Sequence, residues 1–269
     1  MSDLWFKGLD DLELVEGALR LSTKVDPTVN ATWVELQLEK MLDEAELVLS
    51  KEVDEKARFD ALLRLFYQEW GFQGDDETYF SSENAFIEKV LQRKKGIPVS
   101  LGALLLFFAR KLGFPMHGIS FPTQFLLVVK WPEALPEYIN PFNGEYVAKH
   151  TLSSWLKGLE GNAAVLKTEH LSVADTSTVI GRWLAVLKGA LMREEHYTKA
   201  LACSNIALSL VPEDPYEIRD RGFIYQQLDC FQIARQDYQY FIDNCPEDPA
   251  AEMLKLQLKA INEEPVVLH

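Results

Sequence analysis

The sequence predicts a mainly helical α+β fold, and three observations carry that prediction. Residues 99–112 are apolar on nearly all sides, as a helix buried all round must be. Three runs of strand type follow, HGISF, QFLLVVKW and EYIN, punctuated by Pro122, Pro132, Pro136 and Pro141. Frequent prolines suit short antiparallel strands better than a buried parallel sheet. PEDP then occurs at 212–215 and again at 246–249, an offset of 34 residues inside an otherwise helical region. A central helix on a small antiparallel sheet, with helical hairpins after it, is an α+β arrangement.

The elements follow in order along the chain. Residues 1 to about 92 repeat apolar side chains at three and four, the helical period, in WVELQLEKMLDEAELVLSK and FDALLRLFYQEW. Asp26-Pro27 reads as a helix start, an aspartate cap with proline in the first turn. GFQGDD is a turn, and SSENAFIEKVLQ restarts a helix under a serine cap. The basic run Arg93-Lys94-Lys95 falls at that helix's C-terminus, where the dipole favours cations. Gly113 and Pro115 end the apolar helix. EYIN leads through PFNGE into a further extended run, YVAK, and TLSSWLKGL returns to helix with Thr151 or Ser153 as its cap. From about residue 175 the chain is helical again. The expected domains are 1–174 and 175–269.

Composition bounds the function. The 269 residues, 48% apolar, are enough for a full core, and 27 basic against 41 acidic side chains leave a net charge of -14. Such a surface repels phosphate backbones, so nucleic acid is not an expected partner. The acidic N-terminal stretch has no basic n-region before an apolar core, and the longest unbroken apolar run, 101–109, is far short of a bilayer span. No membrane association is expected, and the protein reads as soluble and cytoplasmic. Cys203, Cys230 and Cys245 are odd in number and lack CxxC spacing, which fits neither a disulfide framework nor a zinc site. His150, His170 and His269 are scattered, so neither metal nor cofactor is expected. Asp75-Asp76-Glu77 lacks EF-hand spacing and reads as a solvated turn.

The repeated region has a recognisable period. Ile218, Gly222, Tyr225, Ala234, Tyr238 and Pro246 fall on the tetratricopeptide spacing of large, small, aromatic, small, aromatic, proline. Small residues let two antiparallel helices approach and aromatics fill the remaining gap. A weaker first copy holds Leu191, Ala200, Ala207 and Pro212. Two units are fewer than such arrays usually need to stand alone, so docking on the middle of the chain is expected.

FYQEWGFQGDDETYF, NAFIEKVLQRKKGIPVSLG, GISFPTQFLL and INPFNGE together resemble the bacterial SirB family of transglutaminase-like proteins with tetratricopeptide tails. The resemblance runs through the closing VVLH and covers most of the chain. It implies a papain-like α+β core and a cytosolic protein. Active transglutaminase-like enzymes hold a cysteine thiolate at the N-terminus of the buried helix, a histidine on the first long strand, and an aspartate, commonly in Asp-Pro, on the next. Carried onto this chain, those positions hold Pro98, Gln124 and Asn140, the last followed by Pro141. A shift of two residues would put Ser100 at the cysteine position. Proline has no nucleophile, glutamine does not titrate, and asparagine orients a ring without stabilising its charge.

The expected function is therefore non-catalytic: a protein-interaction or regulatory protein, a pseudoenzyme on a transglutaminase-like frame. Its old groove, bordered by Pro98, Ser100, Gln124, Asn140 and Asn143, would take a protein or peptide partner. The competing expectation is a hydrolase or acyl-transferase using displaced residues such as Ser100 and His117. Against it, serine at a helix start is ordinarily a cap, histidine at a strand edge is ordinarily structural, and Cys203 near His196 reads as a small buried hydrophobe.

Overall fold

The structure is a computed structural model that describes residues 8–263, with side chains through Leu258; the stretch 1–7 and the closing VVLH with His269 lie outside the described residues. Residue contacts divide the chain into two compact units, Gly8–Trp183 and a second beginning at Leu184.

Helices open the first unit. α1 (Leu14–Val25) and α2 (Ala31–Leu49) are amphipathic, with buried stripes such as Leu14, Ala18, Leu21 and Val25 on α1. Asp26 does not start a helix as its sequence suggested. It ends α1, its N–H donating to Ser22 O at 2.8 Å, and its carboxylate accepts from the Thr28 N–H and hydroxyl at 3.0 and 2.7 Å. With that carboxylate used locally, α2 starts on Asn30, whose Oδ1 accepts from Trp33 N at 3.0 Å. α3 (Glu55–Arg64) is capped by Asp54 and runs into a π-helical turn, Leu65–Glu69.

Two short strands, β1 (Gln73–Gly74) and β2 (Lys95–Gly96), pair in parallel on either side of α4 (Ile87–Arg93). Ser81 accepts from Glu83 N at 3.3 Å and so caps the 3-10 turn Ser82–Asn84; α4 itself has no side-chain cap. Lys94 closes α4 in the left-handed conformation, φ 58°.

α5 (Pro98–Lys111) is the buried helix, with eleven of its residues inside. Four antiparallel strands follow in simple order, β3 (Met116–Ser120), β4 (Phe125–Val129), β5 (Glu137–Asn140) and β6 (Glu145–Val147). All five residues of β4 are buried, because both faces of the sheet are covered. Leu126 and Val128 join Leu152 and Leu156 of α6 (Lys149–Glu160), whereas Phe125 lies against Gly102 of α5. Alternation along the strand thus feeds two cores. Neither Thr151 nor Ser153 caps α6, which begins two residues earlier; the Ser153 hydroxyl donates to Lys149 O at 3.0 Å instead. The unit closes with the start of α7 (Thr176–Arg193), where Trp183 is buried and its indole donates to Ala85 O at 2.9 Å.

The second unit contains the rest of α7, then α8 (Tyr197–Leu210), α9 (Pro215–Gln227), α10 (Phe231–Asn244) and α11 (Pro249–Glu263). The PEDP repeat marks helix starts. Asp214 and Asp248 accept from Tyr216 N and Ala250 N, at 2.9 and 2.8 Å, and Pro215 and Pro249 take the first helical position. A Cβ on Gly222 would lie 2.9 Å from the Tyr238 ring, so α9 and α10 approach where no side chain intervenes. Lys188 is a buried cation, satisfied by Glu217 at 2.7 Å and Asp220 at 2.8 Å, and Ser204 also donates to Glu217.

Candidate functional site

The region that resemblance assigns to catalysis is built where α5 meets the sheet. Pro98 is the first residue of α5 and buried, a position where its missing N–H costs nothing. One turn on, on the same face, lies Gly102. A Cβ there would be 2.7 Å from the Phe125 ring and 3.3 Å from Pro141. Phe125 and Pro141 directly follow Gln124 and Asn140, so the strand ends carrying those residues meet the first turns of α5. Gly118 on β3 leaves room for the same Phe125 ring, its notional Cβ lying 2.6 Å away.

Asn140 is engaged locally. Its Oδ1 accepts from Phe142 N at 3.1 Å and its backbone carbonyl accepts from Gly144 N at 2.8 Å, which shapes the turn into β6. Tyr67, from the π-helical turn, donates to Pro141 O at 2.9 Å, and burial raises its pKa, so it stays a phenol. Gln124 is half-buried in the β3–β4 loop, and its amide has no hydrogen-bond partner among the described residues. Asn143 is exposed and, with Asp60, Leu63, Arg64, Tyr67, Gln68 and Gly144, lines a pocket of about 290 Å³.

Ser100 is fully buried, which removes it from any groove a partner could touch. Its Oγ accepts from Ile97 N at 3.1 Å, reaching back over the start of α5, and donates to Asn84 O at 2.6 Å. The structure does not bring His117 to it. His117 lies on β3 beside the other end of α5: Arg110 donates to Met116 O at 3.4 Å, ten residues along the helix from Ser100, a rise of about 15 Å. Desolvation, then the charges of Arg110 and Lys130, lower the His117 pKa and leave the imidazole neutral.

A further cluster departs from the sequence expectation: Asp75 is buried rather than part of a solvated turn. Its carboxylate accepts from Thr78 N and Oγ1 at 2.9 and 2.6 Å, and from Arg93 at 2.8 Å. Arg93 also donates to Asn84 Oδ1 at 3.0 Å, and Asn84 is the residue whose carbonyl receives Ser100. Burial alone would raise the Asp75 pKa, but the bonds from Thr78, Arg93 and Asn84 outweigh it and hold the carboxyl at about 2. The signal available in the sequence was Asp75-x-x-Thr78, an Asx-turn spacing; the pairing with Arg93, beyond the helix dipole, had none. The network ties the loop bearing the exposed Tyr79 and Phe80 to the start of α5.

Residues 32–185 match the transglutaminase-like superfamily, and residues 187–259 match the tetratricopeptide repeat. A UPF0162 protein of Vibrio cholerae is 60% identical over 270 residues, covering 100% of both chains. The chain belongs to the SirB1/UPF0162 family. Among its other members are protein SirB1 of Salmonella typhimurium, 40% identical with 95% of each chain covered, and the UPF0162 protein YchA of Escherichia coli, 41% identical with 87% of each covered. No solved structure matches. Membership bears out the mainly helical α+β architecture, with a small antiparallel sheet in the transglutaminase-like region and tetratricopeptide-like hairpins after it. Among the described residues no helix of this SirB1/UPF0162 chain is long and apolar enough to cross a membrane.

Proposed function

We propose that this protein is a non-catalytic, cytoplasmic interaction or regulatory protein whose transglutaminase-like core recognises a peptide segment of a partner. What carries the proposal is that the resemblance assigns Pro98, Gln124 and Asn140 to the positions of nucleophile, base and orienting acid. Losing a nucleophile alone typically costs about 10⁶-fold in rate. The Ser100 hydroxyl is buried and bonded to backbone, away from His117. Gln124 supplies an amide that donates and accepts without charge and has no partner among the described residues, which suits recognition of an extended backbone; the Asn143 amide, exposed, donates to Glu145 at 2.7 Å and accepts from Glu145 N at 3.2 Å. The tetratricopeptide repeat, a module suited to protein interaction, supports a protein partner.

Two measurements test the reading. Purified protein should neither incorporate amines into glutamine substrates nor hydrolyse peptides; turnover abolished by Ser100→Ala in a protein that still folds would establish the enzymatic alternative. A partner isolated with the intact chain should bind Gln124→Ala/Asn143→Ala at least about tenfold more weakly, the scale of a lost interfacial anchor. Equal affinity for parent and variant would remove this groove as the site.

A further inference from the structure

A second cavity lies away from that groove, and its lining suits a different ligand. α1 and α2 both pack against α5, and the cleft they form with it, about 590 Å³, is lined by Leu19 and Thr23 of α1, by Leu38 and Leu42 of α2, and by Phe107 near the end of α5. From Ala31 to Leu42 the cleft follows three turns of α2, about 16 Å. Its floor is apolar. Its rim carries Glu16 and Arg20 on α1, Glu35 and Glu39 on α2, and Lys111 at one end. Glu35 and Glu39 are one helical turn apart on the same face. Neither they nor Glu16 has an ion-pair partner among the described residues. Beyond the rim, α2 continues with exposed Asp43, Glu44 and Glu46.

We propose that this cleft is a docking groove for an amphipathic basic helix of a partner protein, independent of the groove discussed above. The floor would take the apolar stripe of such a helix, at helical spacing. The unpaired glutamates on α1 and α2 would meet lysines or arginines flanking that stripe. Charge selects this occupant: three rim carboxylates face two rim cations, in a chain of net charge -14 that repels acidic segments and a second copy of itself.

The test uses the full-length protein and a fluorescent synthetic helix of about 18 residues, five turns, with leucines at helical spacing and lysines flanking them. A counterpart replaces every lysine by glutamate. Fluorescence anisotropy should show saturable binding of the lysine helix below about 100 μM, a level typical of weak peptide recognition. The glutamate helix should bind at least about tenfold more weakly. Glu35→Lys/Glu39→Lys, both exposed and tolerable on a helix, should weaken the lysine helix by about tenfold or more. Glu133→Lys/Glu160→Lys makes the same change in net charge outside the cleft and should alter binding by no more than about twofold. Circular dichroism of both variants should match the parent. No saturable binding, equal binding of the two helices, or equal losses in the two variants would overturn the proposal.

Discussion

Replacing Asp75 by asparagine should loosen the loop 75–84 from α4 and α5, and the loss should depend on pH in a defined direction. The carboxylate has 1% exposure and accepts two bonds from Thr78 and one from Arg93. Asparagine keeps an acceptor for Thr78 but not the ion pair. The pKa falls from the usual 3.8 to about 2, close to two units, and each unit is worth about 1.4 kcal/mol. Arg93 remains 26% exposed, so water screens the pair, and about 1–2 kcal/mol is the expected contribution. A carboxyl whose folded pKa is depressed stabilises the fold above its unfolded pKa, near 3.8, and stops doing so as pH falls through about 2. The parent should therefore lose about 1–2 kcal/mol more than Asp75→Asn between about pH 5 and about pH 2. The chain has two compact units that need not unfold together, so the readout is amide hydrogen exchange in peptides covering 72–100 during a urea series at each pH. Parent and variant exchanging alike at neutral pH, or responding to acid in parallel, would refute the buried-pair account.

Other expectations are narrower. Gly222→Ala should lower the stability of the second unit by about 1 kcal/mol or more, read by urea unfolding: helix propensity alone would gain about 1 kcal/mol, but the new methyl must fit 2.9 Å from the Tyr238 ring. Lys188→Met should cost about 2–4 kcal/mol by the same assay, because Glu217 and Asp220 are left facing each other without their buried cation; a neutral outcome would mean the two carboxylates find water. Burial pushes the Cys203 thiol up to about 12, so at pH 8 a disulfide reagent should label exposed Cys230 in the native protein and reach Cys203 only after denaturation.

Much of the architecture was legible because it rests on periodicity. The all-round apolar run became α5, displaced by one residue at each end, and the strand-like runs became β3 to β6 in order. The 34-residue offset located the hairpins, and Gly222 and Tyr238 meet where the repeat spacing puts a small residue against an aromatic. Helix caps were less legible. Asp26, Thr151 and Ser153 all have side chains suited to a helix start, but each can also bond locally in a turn or inside a helix, and the surrounding chain decides which.

What the sequence determined by itself was which groups are present: no cysteine, histidine or aspartate at Pro98, Gln124 or Asn140, a hydrophobic period that prescribes helix, sheet and hairpins, and an acidic surface. These are local properties, readable from composition and from spacings of a few residues. The tertiary structure decided which polar groups meet. Asp75 and Arg93 are eighteen residues apart and Ser100 and Asn84 sixteen, and neither pairing has a periodic signature. It also separated Ser100 from His117 by seating the histidine beside Arg110, at the other end of α5. Side-chain partners across elements are set by how helices and strands pack, and that packing is chosen by the whole apolar surface rather than by the polar residues it brings together.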